Sequence, residues 1–186
     1  MGPLSRPWRP ERRGVRVLGV RLASWAGRAV AGQSLAGWRD ARAPLSTLWG
    51  QSACTELMTR IADAGTARSR TAVLASAAEV RASSVSEGSE VVRLAELVDT
   101  GWSVADISAT MGTTPRQVHR RCTDLFGLPP SVLRRISRLH TAASSRGVLG
   151  RVTLADIAYA SGYADQSHMA REVRALTGQP LRPAFR

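Results

Sequence analysis

Apolar residues along this chain fall mostly at intervals of three and four, the spacing of one helix face, and only once in the alternation of a strand. Near the C-terminal end, Leu154, Ile157, Ala158 and Ser161 make one small, closely packed face. Thr153 is placed to cap that helix, and Asp156 in its first turn is favoured by the helix dipole. Gly162 stops it, because glycine enters the left-handed conformation beyond a helix end without steric cost. Met169, Val173 and Leu176 mark the buried stripe of a further helix that ends at Gly178. Upstream, Pro130 to Ser145 predicts one helix with Val132, Leu133, Ile136, Leu139 and Ala143 apolar, and Val91, Leu94, Ala95 and Val98 predict another, ending at Gly101. Closer to the N-terminus, Cys54, Leu57, Met58 and Ile61 fit a helix from about Gln51 to Ala64, and one more covers Ala67 to Arg81. Ala23 to Trp38 has helical character broken by Gly27, Gly32 and Gly37. The exception to the helical spacing is Val15 to Leu22, β-branched and partly alternating, which predicts a single strand.

The helical pattern of the last thirty residues occurs twice. Ser103, Val104, Ala105, Asp106, Ile107 and Gly112 match Thr153, Leu154, Ala155, Asp156, Ile157 and Gly162. After one residue inserted in the second turn, Val118, Arg120, Cys122 and Gly127 match Met169, Arg171, Val173 and Gly178. Two short helices joined by a glycine turn are the build of a helix-turn-helix, whose second helix enters the DNA major groove. The marks from Val91 to Gly178 are Val118, Arg120 and Cys122 at alternate positions, Gly127, Arg138-Leu139 with Ala142, Asp156-Ile157-Ala158, and Gly162-Tyr163 with Asp165. In this order the run resembles the DNA-binding domain of AraC/XylS-type transcriptional regulators, which has two helix-turn-helix units joined by a linker helix. The chain departs from that family where Cys122 and Val173 stand for a usual Phe and Met169 for a frequent aromatic, swaps that keep the positions apolar. After Gly178 it has Gln179-Pro180-Leu181 where the family expects a Thr-Pro pair or similar.

Ser83 to Ser89 is polar, small and without periodicity, and divides the chain as a linker. The expected organisation is a disordered basic N-terminus over 1–13, a sensor-like region over 14–82, the linker over 83–89 and the DNA-binding domain over 90–186. Gly19 to Leu22, the Ala- and Gly-rich helical stretch after it and Pro44 to Gly50 are together similar to the tail of an N-terminal sensor domain in some actinobacterial AraC-type regulators. A β-rich sensor normally precedes that tail, and there is no room for it here. The expectation is therefore a truncated α+β remnant, through natural truncation or a misassigned start, ahead of a mainly α C-terminal domain that folds without it.

Charge adds a partner to this picture. The net charge is +12, and all 26 basic residues are Arg. Such basicity implies a polyanionic partner. The excess is shared: +7 over residues 1–87 (13 Arg against 6 acidic residues) and +5 over 88–186 (13 Arg against 8). No apolar run reaches the roughly 18 residues of a membrane span. Arg16 and Arg21 interrupt the first apolar stretch, so it does not read as a signal peptide. The two cysteines are distant and show no zinc spacing, which fits a reducing, cytoplasmic setting.

On the first recognition helix, with Val118, Cys122 and Leu125 turned to the core, Arg116, Gln117 and Arg120 lie opposite and His119 at the margin. Thr113 and Thr114 sit at its N-terminus, where a phosphate is well accommodated. Arg grips guanine bidentately, and Gln pairs with adenine. The family resemblance places base contacts at Arg116, His119 and Arg120, and in the second unit at Gln166, Ser167, His168 and Arg171. For Arg120 and Arg171, which recur at one register, a structural or phosphate role stands level with base reading. Arg134, Arg135 and Arg138 either contact phosphate or brace the two units, with Arg138 read as structural. Trp102 is expected to pack between helices.

Promoter DNA is the expected partner, with RNA polymerase and self-association through the N-terminal region beside it, and no cofactor. Catalysis is not expected. Asp165, Ser167 and His168 crowd one segment and cannot face one another as a triad. His119, His140 and His168 lack a carboxylate at ligand spacing. Cys122 lies in a core stripe, and Cys54 has no activating context. The rival reading is a remnant or interaction protein that keeps the helical fold without useful specific DNA affinity.

Overall fold

The computed structural model of the chain describes residues 3–5, 17–84, 88–148 and 153–181. Ten helices lie among them. In the N-terminal half these are α1 (Ala26–Ala31), α2 (Ser46–Trp49), α3 (Gln51–Asp63) and α4 (Ala67–Ser84). The C-terminal half holds α5 (Ser89–Asp99), α6 (Val104–Thr110), α7 (Pro115–Phe126), α8 (Pro130–Val148), α9 (Leu154–Ala160) and α10 (Gln166–Thr177).

The C-terminal half follows its apolar stripes. Leu94, Ala95 and Val98 of α5, Ile107 of α6, and Val118, Cys122, Leu125 and Phe126 of α7 share one core with Val132 and Leu133 at the start of α8. A second core joins Ala142 of α8 to Ile157 and Ala158 of α9, Tyr163 in the turn, and Met169 and Val173 of α10. Helix α8 thus contributes to both cores and links the two units. Its stripe is one residue off expectation at the far end, since Ala142 is fully buried and Ala143 exposed. Trp102 is 42% exposed and does not pack between helices. Local capping is as the sequence dictates. Thr153 Oγ1 accepts from Asp156 N at 3.2 Å, and Asp156 Oδ2 accepts from Thr153 N at 3.0 Å and Oγ1 at 2.6 Å. In the first unit Ser103 Oγ likewise accepts from Asp106 N at 3.1 Å and donates to Asp106 Oδ2 at 2.5 Å.

The N-terminal half corrects the expected α+β remnant: among the described residues it contains helices and no strand. Val15 and Arg16 lie outside the described residues, as does most of the segment 1–13, while residues 17–22 form no regular structure and Val17 is 61% exposed. A strand needs a neighbour to satisfy its backbone, and none is offered here. Helix α1 is shorter than its Ala-rich stretch because Gly32 turns left-handed at φ 71° and ends it. Helices α1, α3 and α4 pack together, with Trp49 Nε1 donating to Val30 O at 2.9 Å and Arg81 lying 4.5 Å over the Trp49 ring. The expected linker is narrower than its polar stretch, since Ser83 and Ser84 finish α4 and Ser89 begins α5.

The two halves touch. Leu35 N donates to Asp124 O of α7 at 2.8 Å, and Arg28 pairs with Asp124 at 3.8 Å. Ser24 Oγ donates to the Asp99 carboxylate at 3.1 Å, and Arg21 meets His140 Nδ1 at 3.1 Å. A groove of about 780 Å³ runs between residues 21–25 and helices α5 and α8. Burial, and then the Arg21 charge, lower the His140 pKa below its ordinary value.

Candidate nucleic-acid interface

Each unit presents its second helix with one stripe inward and a polar set outward. On α7 the buried Val118, Cys122, Leu125 and Phe126 fix the helix rotation, which leaves Arg116, Gln117, His119 and Arg120 exposed. On α10, Met169 and Val173 are fully buried, and Gln166, Ser167 and Arg171 are exposed. The N-caps match: Thr114 Oγ1 accepts from Gln117 N, and Asp165 Oδ1 accepts from His168 N at 2.6 Å.

Two of the expected DNA-contacting residues are engaged inside the fold. Gln117 Oε1 accepts from Thr113 Oγ1 at 2.7 Å and from Thr114 N at 3.0 Å, completing a capping box with Thr114. His168 occupies the equivalent position in α10 and also turns back. Its Nδ1 accepts from Ala164 N at 3.4 Å, its ring meets Tyr163 edge-on with centroids 5.4 Å apart, and its Nε2 lies 3.8 Å from Glu172 Oε2. In both units the residue three beyond the N-cap is thus held against the turn. Arg116, His119, Arg120, Gln166, Ser167 and Arg171 point outward.

The sequence reading missed Glu172. It is buried on α10 beside Val173 and receives Arg138 Nη2 at 2.8 Å and Arg135 Nε at 3.2 Å, both from α8. Arg138 also lies 5.2 Å over the Tyr163 ring. Arg138 therefore has a structural role, tying α8 to the second unit, and Arg135 joins it. The signal was available: an acid three residues after Met169 falls on the buried stripe, where charge requires a partner. Burial, with the Glu172 carboxylate beside it, pushes the Tyr163 phenol up to about 12, while its hydroxyl makes no hydrogen bond among the described residues. Burial likewise pushes the Cys122 thiol up to about 12. Among the described residues no group of His, Cys, Asp and Glu is placed to hold a metal ion, and no helix is long and apolar enough to cross a membrane.

Residues 107–185 match the model of a protein family described as a helix-turn-helix domain. The matched segment runs from within α6 through α10, a little under half of the chain, and is similar there to helix-turn-helix domains of the AraC type, which bind DNA in transcription regulation. No curated protein and no solved structure matches the chain.

Proposed function

We propose that the chain is a sequence-specific transcriptional regulator that reads two successive major-groove segments of a promoter operator, one with α7 and one with α10. The observation that carries this reading is the repeated presentation: two capped helices, each rotated by a buried stripe so that an arginine recurs at one register, Arg120 and Arg171. Arg116, His119 and Arg120 are the contacts of the first unit, and Gln166, Ser167 and Arg171 those of the second. Thr114 and Gln117 shape the N-terminus of α7, and His168 shapes that of α10. Recognition helices in successive grooves on one DNA face stand about 34 Å apart.

The DNA-binding unit in this reading is the segment from residue 90 onward, and the helices of residues 14–82 dock on it. Exposed Met58 and Val80 on the packed pair α3 and α4 support self-association through the N-terminal half. Contact with RNA polymerase would follow from promoter binding. Selection from a pool of random duplexes by the full chain tests the proposal. The expected outcome is an enriched bipartite motif with half-sites about 10 base pairs apart. No enrichment at moderate salt would leave the rival reading, a helical fold without useful specific affinity.

A further inference from the structure

In each unit the recognition helix is tied by charge to the helix that precedes the unit, and the two ties have opposite polarity. Val118 and Met169 are equivalent, so the residue three positions on is Arg121 in the first unit and Glu172 in the second. Arg121 pairs with Glu90 of α5, and both side chains are well exposed, at 40% and 58%. An ion pair in that setting is screened and holds its helix weakly. Glu172 is only 6% exposed. A carboxylate buried that deeply is strongly unfavourable unless it is paired and hydrogen-bonded. Here its partners come from three places: Arg135 and Arg138 on α8, His168 one turn earlier on α10, and Tyr163 of the turn through the Arg138 guanidinium stacked on its ring. Rotating α10 on α8 by even part of a turn would leave the carboxylate buried and unpaired.

We propose that Glu172 is the positioning residue of the second unit. It fixes the rotation of α10 so that Gln166, Ser167 and Arg171 face DNA, and it withholds Arg135, Arg138 and His168 from phosphate and base. This rests on the reading that both units contact DNA. Its consequence is an asymmetry in what sets each helix: α10 depends on a buried carboxylate, whereas α7 is held by its apolar stripe and by Leu35 and Arg28 on Asp124, and its exposed Arg121–Glu90 pair adds little.

The test uses the full chain with Glu172→Gln, which keeps the side-chain volume and removes the charge, and Arg121→Gln as the matched change in the first unit. Random-duplex selection is read half-site by half-site, and amide hydrogen exchange is measured on α7 and α10. Glu172→Gln should lower base discrimination under α10 by about tenfold, raise affinity for random DNA as the released arginines reach phosphate, keep discrimination under α7, and speed exchange in α10. Arg121→Gln should leave both half-sites unchanged. Unchanged discrimination under α10, or equal loss at both half-sites, would overturn the proposal. If Glu172→Gln does not fold, the triple Arg135→Met, Arg138→Met, Glu172→Met removes the buried charge together with its partners, a change folds often tolerate. That variant carries the same expectations at the two half-sites. A wild-type chain that selects no motif refutes the DNA-reading proposal instead, and the exchange comparison still decides whether Glu172 fixes α10.

Discussion

Gly127 offers a direct measure of how firmly the N-terminal half is seated on α7. It ends α7 at φ 69°. A methyl group added there would lie 2.4 Å from Pro3 Cγ, 2.8 Å from the Leu35 carbonyl oxygen and 3.2 Å from Leu35 Cβ. Gly112 provides the control: its φ is 59°, and an added methyl meets nothing within 4 Å. Alanine at either position bears the left-handed strain of about 1–2 kcal/mol. At Gly127 a backbone oxygen must also move, and that backbone is held by Leu35 N donating to Asp124 O at 2.8 Å. Overpacking of this kind costs about 1–3 kcal/mol. Gly127→Ala is therefore expected to lose about 2–5 kcal/mol in all, and Gly112→Ala about 1–2 kcal/mol. Urea denaturation of the two variants, with slopes compared so that only midpoints differ, gives the numbers. In a fragment of residues 90–186, where Pro3 and Leu35 are gone, the two costs should converge. Equal losses in the full chain would refute the docking, and the expected linker would then separate two independent units.

Three further outcomes follow from particular side chains. Arg116→Ala should relax preference at one or two base pairs under α7, costing about 1–3 kcal/mol there in quantitative gel shifts while random-sequence binding changes little; a uniform loss on all sequences would make Arg116 a phosphate contact. Asp156 is held below the ordinary carboxylate pKa by its hydrogen bonds from the Thr153 side chain and backbone. A depressed carboxylate stabilises the fold above its unfolded pKa and loses that contribution as pH falls through its folded one. The thermal-stability gap between wild type and Asp156→Ala should therefore be full at neutral pH and close under acid, and a gap that persists in strong acid would be evidence against the capping box. With a thiol reagent on the native chain, Cys54 should react and Cys122 should not, since its thiol is fully buried and pushed up to about 12; two fast thiols would contradict the core around α7.

What the sequence made legible was local. Stripes such as Val118, Cys122 and Leu125 need only the helical period to be recognised, and the caps Ser103 and Thr153 sit within four residues of what they cap. What it hid was nonlocal. The alternation from Val15 to Leu22 is real, but alternation becomes a strand only where a neighbour accepts its hydrogen bonds, and residues 17–22 have none among the described residues. The seat of the N-terminal half on α7 depends on a backbone amide of Leu35 finding a carbonyl of Asp124, which no side-chain pattern encodes. Glu172 lies between these cases. Its position on a buried stripe announced a partner, but which arginine of α8 would answer depended on how the two helices cross.

The same distinction narrows the set of residues that can read bases. A glutamine recognises adenine by using its carbonyl and its amide nitrogen together. The Gln117 carbonyl already accepts from the Thr114 amide, so a bidentate contact would have to open the capping box. Losing a cap costs about 0.5–2 kcal/mol, and a good base pair contact gains about 1–3 kcal/mol, so the exchange yields little net discrimination. Gln166 stands one residue after its cap, where Asp165 supplies the capping oxygen alone, and its amide makes no hydrogen bond among the described residues. Under the proposed reading, adenine recognition by glutamine would therefore fall to Gln166 in the second unit, and in the first unit Gln117 would leave base reading to Arg116, His119 and Arg120.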